Sequence, residues 1–100
     1  MQEQRDIRHF QELLRQQLPL LAGRYSVKAL ELFGSYVREE QVEGSDLDIL
    51  VEFQETPGLL KFIELENYLS DFLGVEVDLV MKDALKPRIG RRILEEAMPV

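Results

Sequence analysis

The chain has 100 residues, no cysteine and a net charge of −7. This length suits one compact domain, so we expect residues 1–100 to form a single domain. The absence of cysteine excludes disulfides and thiolate metal sites, and the acidic charge argues against direct binding of nucleic acid. The N-terminus is too polar for a secretory signal, and no apolar run approaches the roughly 20 residues of a membrane span. We therefore expect a cytoplasmic protein.

The N-terminal part of the chain predicts a helix, a loop and a strand. Apolar residues at helical spacing indicate an amphipathic helix over residues 3–18, and Pro19 is expected to end it or to start a short new turn. Residues 23–26 are then expected to form a loop. Residues 27–33, VKALELF, are the candidate for the first strand.

The middle of the chain contains a Gly-Ser turn and an acidic strand. Gly34 and Ser35 end the first strand abruptly, and a short helix is predicted over residues 36–41. After a loop, residues 46–53 are expected to form the second strand, with apolar residues on one face and mostly acidic residues on the other.

The C-terminal half predicts a helix, a strand and a further helix. The helix spans residues 59–73 and ends at Gly74, the third strand spans residues 75–80, and the last helix spans residues 86–98. The predicted apolar stripe of the first of these helices consists of Leu59, Phe62, Ile63, Leu69 and Leu73. This order of elements predicts an α/β (α+β) fold with a small sheet covered by helices.

Three aspartates share one phase on the predicted strands. Asp46 and Asp48 are two residues apart, so both side chains leave the same face, and Asp78 has the same phase on the third strand. If the two strands are neighbours, three carboxylates converge, and a cation would offset their repulsion. Ligands that are all carboxylate oxygens favour Mg²⁺ or Mn²⁺.

The Gly-Ser turn adds a feature suited to phosphate. Gly34 allows close approach of the backbone, and Ser35 adds a hydroxyl donor beside the backbone N–H groups. A phosphate site beside a metal site is the equipment of phosphoryl or nucleotidyl transfer. Taken singly, alternating aspartates are more typical of a solvated strand face, and a Gly-Ser pair more typical of a turn. A structural protein with an acidic strand face is therefore the simplest alternative.

The combined pattern resembles the signature of the nucleotidyltransferase superfamily related to DNA polymerase β. That signature is Gly-Ser, ten residues, Asp-x-Asp and a third acidic residue on a later strand. It is matched here by Gly34, Ser35, Asp46, Asp48 and Asp78. The short chain is similar to the minimal nucleotidyltransferases, which implies a nucleotidyltransferase fold with a small mixed sheet of about three strands flanked by helices.

The resemblance also implies an activity and a partner. Members of the minimal group are commonly paired with a HEPN-domain ribonuclease toxin, for which they serve as antitoxin. The implied reaction transfers AMP from Mg-ATP to a hydroxyl of the toxin, expected to be a tyrosine, within a hetero-oligomer. The implied metal ligands and catalytic residues are Asp46, Asp48 and Asp78, with Asp78 as a ligand or as general base.

The implied nucleotide-binding residues are Gly34, Ser35 and Arg38. The family often has Gly-Ser-x-Ala-Arg-Gly here, so Glu39 replaces the usual glycine and the loop is expected to differ in shape. Tyr36 is expected to be a partly exposed loop aromatic, with stacking on adenine as the alternative, and His9 is expected on the surface of the first helix.

Two other functions stay open at this point. The chain could transfer a nucleotide to a small molecule such as an antibiotic, or it could neutralise a toxin by binding alone. The basic residues near the C-terminus predict a solvated face or a docking surface for an acidic partner. They are Lys82, Lys86, Arg88, Arg91 and Arg92.

Overall fold

The computed structural model describes residues 6–100, which form three helices and one sheet. The helices are α1 (Ile7–Tyr25), α2 (Leu59–Leu73) and α3 (Pro87–Glu96). The strands are β1 (Val27–Phe33), β2 (Leu47–Phe53), β3 (Val77–Met81) and β4 (Met98–Pro99), and a single 3₁₀ turn spans Lys82–Ala84. Residues 3–5 of the predicted first helix lie outside the described residues.

The sheet is mixed and has the strand order β3-β2-β1-β4. Strand β2 pairs with β1 antiparallel and with β3 parallel, and β4 is antiparallel to β1. Helix α2 supplies the crossover that two parallel strands require. The three predicted strands are present, and the sequence did not reveal β4, because two residues are too few to show an alternation.

Helices α1 and α2 cover one face of the sheet. Every second residue of β2 points into this core, and β3 contributes residues of the same phase. In β1 the phase changes at a register irregularity between Val27 and Ala29. The strand residues of the core are Val27, Leu30, Leu32, Leu47, Ile49, Val51, Val77 and Leu79. The opposite face of the sheet carries Asp48 of β2 and Asp78 of β3, together with Leu50, which is also buried.

Helix α1 is longer than the sequence predicts. Asp6 caps its start by accepting a hydrogen bond from the N–H of His9 at 3.0 Å. The expectation that Pro19 ends the helix is wrong, as is the predicted loop over residues 23–26, because the helix continues to Tyr25. Pro19 is exposed, and burial of Leu21 and Tyr25 beyond it offsets the hydrogen bond that proline cannot donate.

Helix α2 begins and ends at the predicted residues, with Gly74 at its C-cap. Its buried stripe differs from the prediction, however. Leu65 is buried, whereas Leu59 and Ile63 are 73% and 40% exposed. The stripe runs through residues 62, 65, 69 and 73. Residue 63 follows residue 62 directly, so its side chain is rotated about 100° around the helix axis, away from this stripe. Within residues 6–100, no helix is both long and apolar enough to cross a membrane.

Candidate active site

The parallel register of β2 and β3 places two of the predicted carboxylates side by side. Asp48 is the direct partner of Asp78, and on its other side Asp48 is paired with Phe33, the last residue of β1. Neighbouring strands lie about 4.8 Å apart, so the two carboxyl groups can reach one ion. Asp48 is half-buried and Asp78 is exposed, so the pair is open to solvent on the β3 side.

Gly34 lies directly against the carboxylate of Asp48. A Cβ built on Gly34 would be 2.0 Å from Oδ2 of Asp48, which is far inside van der Waals contact. Gly34 also has a φ of +85°, a conformation that other residues rarely adopt. Both the space and the backbone conformation therefore require glycine here, and the turn after β1 touches the acidic face of β2.

The environment of Asp48 disfavours its charge. Its pKa is raised from 3.8 to about 6, first because burial withdraws the carboxyl group from water and then because Asp78 and Asp46 repel its charge. Glu96 adds to this repulsion, and Arg38 opposes it. A bound cation would remove the repulsion, so the donor set suits a hard divalent ion.

Asp46 immediately precedes β2 and is exposed. Among residues 6–100, no three carboxylate or imidazole side chains are gathered closely enough to form a metal cluster as they stand. The oxygens of Asp46 and Asp78 would therefore have to turn toward Asp48 to share an ion with it. Both side chains are exposed, so such rotations meet little obstruction.

The segment after Gly34 is a compact turn, and the short helix predicted over residues 36–41 does not form. The N–H groups of Val37 and Arg38 both donate to the carbonyl of Gly34 at 3.1 Å, and the N–H of Glu40 donates to the carbonyl of Ser35 at 2.8 Å. A phosphate at this turn would rely on individual donors, because no helix dipole is present to attract it.

Glu96, at the end of α3, accepts hydrogen bonds from two donors of this turn, the N–H of Gly34 and the guanidinium of Arg38. Its Oε2 accepts a hydrogen bond from the N–H of Gly34 at 2.7 Å. The Nη1 of Arg38 lies 3.0 Å from Oε1 and 3.1 Å from Oε2 of the same carboxylate, while the Nε of Arg38 donates to Glu40 at 3.0 Å. Hydrogen bonds to Glu40 and Glu96 raise the pKa of Arg38. The sequence did not reveal this contact, because Gly34 and Glu96 are 62 residues apart.

Comparison with known proteins identifies the family. The model of the nucleotidyltransferase domain family matches residues 12–99. The chain belongs to this family. A relative named protein adenylyltransferase MntA, from Thermococcus cleftensis, is 55% identical over 80 residues, which cover 80% of this chain and 81% of that protein.

Solved structures agree with this assignment. One described as a minimal nucleotidyltransferase has a TM-score of 0.78 and 35% identity, covering 99% of this chain and 100% of the other. A toxin-antitoxin structure with AMP-PNP has a TM-score of 0.67 and 27% identity, covering 88% of this chain and 66% of the other. A structure of a tri-AMPylated Shewanella oneidensis HEPN toxin in complex with MNT antitoxin has a TM-score of 0.58 and 25% identity. The match covers 88% of this chain and 62% of the other. The predicted resemblance, the fold class and the nucleotidyltransferase activity are confirmed.

The departure of this nucleotidyltransferase from the usual glycine at residue 39 has a structural outcome. Glu39 has a φ of +58°, in the left-handed region that favours glycine. The backbone therefore keeps a conformation suited to glycine although the side chain has changed, and Glu39 itself is exposed.

Two aromatic residues of the nucleotidyltransferase are placed by the fold. Tyr36 is buried, not partly exposed as predicted, because its ring packs edge-on against Phe10 of α1 at 5.5 Å. This contact directs the ring into the core, where it cannot stack on a bound base. His9 is exposed on α1, as predicted.

Proposed function

We propose that this nucleotidyltransferase transfers AMP from Mg-ATP to a hydroxyl group of a HEPN-domain ribonuclease toxin and thereby neutralises it as an antitoxin. The observation that carries the proposal is the register of Asp48 beside Asp78, with Gly34 against the carboxylate of Asp48. This arrangement supports the proposal because it would bring a cation held by the aspartates next to a turn that can approach a phosphate.

Each residue has a proposed role. Asp46 and Asp48 would hold Mg²⁺, and Asp78 would complete the metal site or accept the proton of the acceptor. Bound Mg²⁺ would neutralise phosphate charge and polarise the α-phosphate. Gly34, Ser35 and Arg38 would bind the β- and γ-phosphates through N–H, hydroxyl and guanidinium donors.

The reaction is a displacement at the α-phosphorus of ATP. The acceptor oxygen forms a new bond to the α-phosphorus while the bond to the bridging oxygen of the β-phosphate breaks. Pyrophosphate leaves with that bonding pair, and the proton of the acceptor passes to Asp78 or to water. The acceptor hydroxyl is proposed to be that of a tyrosine.

A protein acceptor is supported by the relatives. The relative from Thermococcus cleftensis is named a protein adenylyltransferase, and a structural neighbour is an antitoxin bound to an AMPylated HEPN toxin. A hetero-oligomer with such a toxin would also present the acceptor hydroxyl to the turn and the acidic face of β2.

The test is to incubate the HEPN-domain protein with Mg-ATP and each of three forms of this chain, and to measure the intact mass of the HEPN protein. The forms are wild type, Asp46→Asn combined with Asp48→Asn, and Asp71→Asn, which removes an exposed carboxylate of α2. We expect AMP units to be added by wild type and Asp71→Asn, with a loss of at least about 100-fold in the double variant.

The same variants separate transfer from neutralisation by binding alone. If the double variant protects cells from the toxin as well as wild type does, and the toxin mass stays unchanged with wild type, the proposal is wrong. Transfer to an aminoglycoside but not to the HEPN protein would instead indicate a small-molecule acceptor.

A further inference from the structure

The carboxylate of Glu96 lies where the proposed nucleotide site would receive a phosphate. Its Oε2 accepts a hydrogen bond from the N–H of Gly34 at 2.7 Å. The Nη1 of Arg38 donates to Oε1 at 3.0 Å and to Oε2 at 3.1 Å. A carboxylate and a phosphate are bound by the same donors, namely backbone N–H groups and guanidinium groups. The chain therefore supplies its own anion to the turn after β1.

There is room for a larger anion at the same place. An open cavity of about 570 Å³ is lined by Arg38, Arg92, Ile93, Glu95 and Glu96. Two arginines border this space, and Arg92 is exposed, so a polyphosphate could be paired with guanidinium groups once Glu96 has withdrawn.

We propose that Glu96 is an internal competitor for the phosphate-binding donors, so that a nucleotide binds only by displacing its carboxylate from Gly34 and Arg38. This inference rests on the proposed nucleotide-binding role of the turn. It assigns to the end of α3 a regulatory contact, in which the free enzyme holds its phosphate site closed with its own side chain.

The displacement needs only a side-chain rotation. The backbone after Glu96 is fixed, because β4 pairs with β1 and the N–H of Val100 donates to the carbonyl of Leu30 at 3.0 Å. The carbonyl of Pro99 also accepts a hydrogen bond from the side chain of Gln11 at 2.7 Å. The side chain of Glu96 is 25% exposed, so its carboxylate can turn toward water while the helix and β4 stay in place.

The charged side chain of Glu96 should weaken nucleotide binding, and a neutral side chain at residue 96 should weaken it less. Glu96→Gln keeps the shape of the side chain but loses the charge that strengthens its hydrogen bonds to Gly34 and Arg38. It also removes a negative charge next to the incoming phosphates. If Glu96 instead positioned Arg38 for the phosphate, the same substitution would weaken binding.

The matched control is Glu95→Gln, which makes the same change in charge one residue earlier on α3. Glu95 lines the same cavity and is exposed, and within the described residues it makes no hydrogen bond to Gly34 or Arg38. A purely long-range charge effect would therefore appear in both variants, whereas release of the donors would appear only in Glu96→Gln.

The experiment measures the Kd of Mg-ATP and of adenosine by calorimetry for wild type, Glu96→Gln and Glu95→Gln, with urea unfolding as a check on the fold. We expect Glu96→Gln to bind Mg-ATP about three- to tenfold more tightly, because the hydrogen bond from Gly34 becomes a neutral one and the ion pair with Arg38 is lost. Glu95→Gln should stay within about twofold, since screened charges at the surface interact weakly. Adenosine, which has no phosphate, should show no difference.

Each outcome has a separate meaning. If wild type binds Mg-ATP and Glu96→Gln binds it equally or more weakly, the competition is wrong and the proposed function is untouched. An equal gain in both variants also overturns the competition in favour of bulk charge. If none of the three proteins binds Mg-ATP, the proposed function fails together with the inference.

Discussion

The two faces of β2 are formed by alternate residues of one seven-residue strand, and they differ in energetics. On the core face, Leu47, Ile49 and Val51 are at most 1% exposed, and they pack beneath α1 and α2. On the opposite face, Asp48 is half-buried beside Asp78, and the pKa of Asp48 is raised to about 6 by burial and by its acidic neighbours. The core face stabilises the fold, whereas the charge of Asp48 on the opposite face is disfavoured and opposes it at neutral pH.

This difference separates folding from function within one strand. Substitutions on the core face should lower the free energy of unfolding through lost packing. On the acidic face, removal of a charge should raise that free energy while abolishing the proposed chemistry. If the acidic face were merely solvated, removal of a charge would leave the free energy of unfolding nearly unchanged, because exposed carboxylates destabilise the fold very little.

The largest expected effect on stability is on the core face. Ile49→Ala should lower the free energy of unfolding by about 2–5 kcal/mol, since it leaves a cavity in a fully buried position. Urea unfolding measures the change. Leu60→Ala, at a residue that is 82% exposed, is the control and should stay within about 0.5 kcal/mol. Equal losses in the two variants would mean that β2 is not the centre of the core.

The next effect tests the contact between the turn and the acidic face. Gly34→Ala should cost about 1–3 kcal/mol, because its φ is positive and its new Cβ would collide with Asp48. Gly23→Ala is the control. Its Cβ would meet nothing within 4 Å, so on helix α1 the substitution should gain up to about 1 kcal/mol. A neutral result at Gly34 would contradict the close approach to Asp48.

A smaller effect concerns the charge of Asp48. Its pKa in the fold, about 6, exceeds the value of 3.8 expected for the unfolded chain. Between these two pH values the carboxyl group is therefore protonated more fully in the folded state than in the unfolded state. The stability that this carboxyl contributes is therefore lost as pH rises from about 4 to about 6, and it stays lost at neutral pH.

Asp48→Asn should accordingly be more stable than wild type by about 1–2 kcal/mol at pH 7, after allowance for solvent screening, and the difference should shrink toward pH 4. Urea unfolding across this pH range, in buffer containing a chelator, measures it. Asp71→Asn, which removes an exposed carboxylate of α2, is the matched control and should change stability at pH 7 by less than about 0.5 kcal/mol. Should Asp48→Asn be less stable than wild type at pH 7, the two faces would not differ as described.

The smallest effect concerns the turn that borders the acidic face. Glu39→Gly should raise the free energy of unfolding by about 1 kcal/mol or less, because glycine adopts the left-handed conformation of residue 39 without strain. Glu43→Gly, at an exposed loop position without a positive φ, should instead lose stability. Thermal unfolding of both variants measures the difference, and a loss at residue 39 would contradict the strained conformation.

Local patterns in the sequence predicted the elements well where the pattern was long. The strand predicted over residues 27–33 and the helix predicted from the spacing over residues 59–73 are present with the same bounds. The predictions failed where packing overrides a local rule. Helix α1 passes through Pro19 because residues beyond it are buried, and α2 buries Leu65 in place of Ile63.

What the sequence determined by itself is the phase of each side chain. Alternation places Asp48 on one face of β2 and Leu47, Ile49 and Val51 on the other, whatever the neighbours are. The tertiary structure decided which strands are neighbours, and hence that Asp78 is the register partner of Asp48. It alone brought Glu96 to Gly34 and Tyr36 to Phe10. Contacts between residues far apart in the chain depend on how helices and strands pack, and no local periodicity records that.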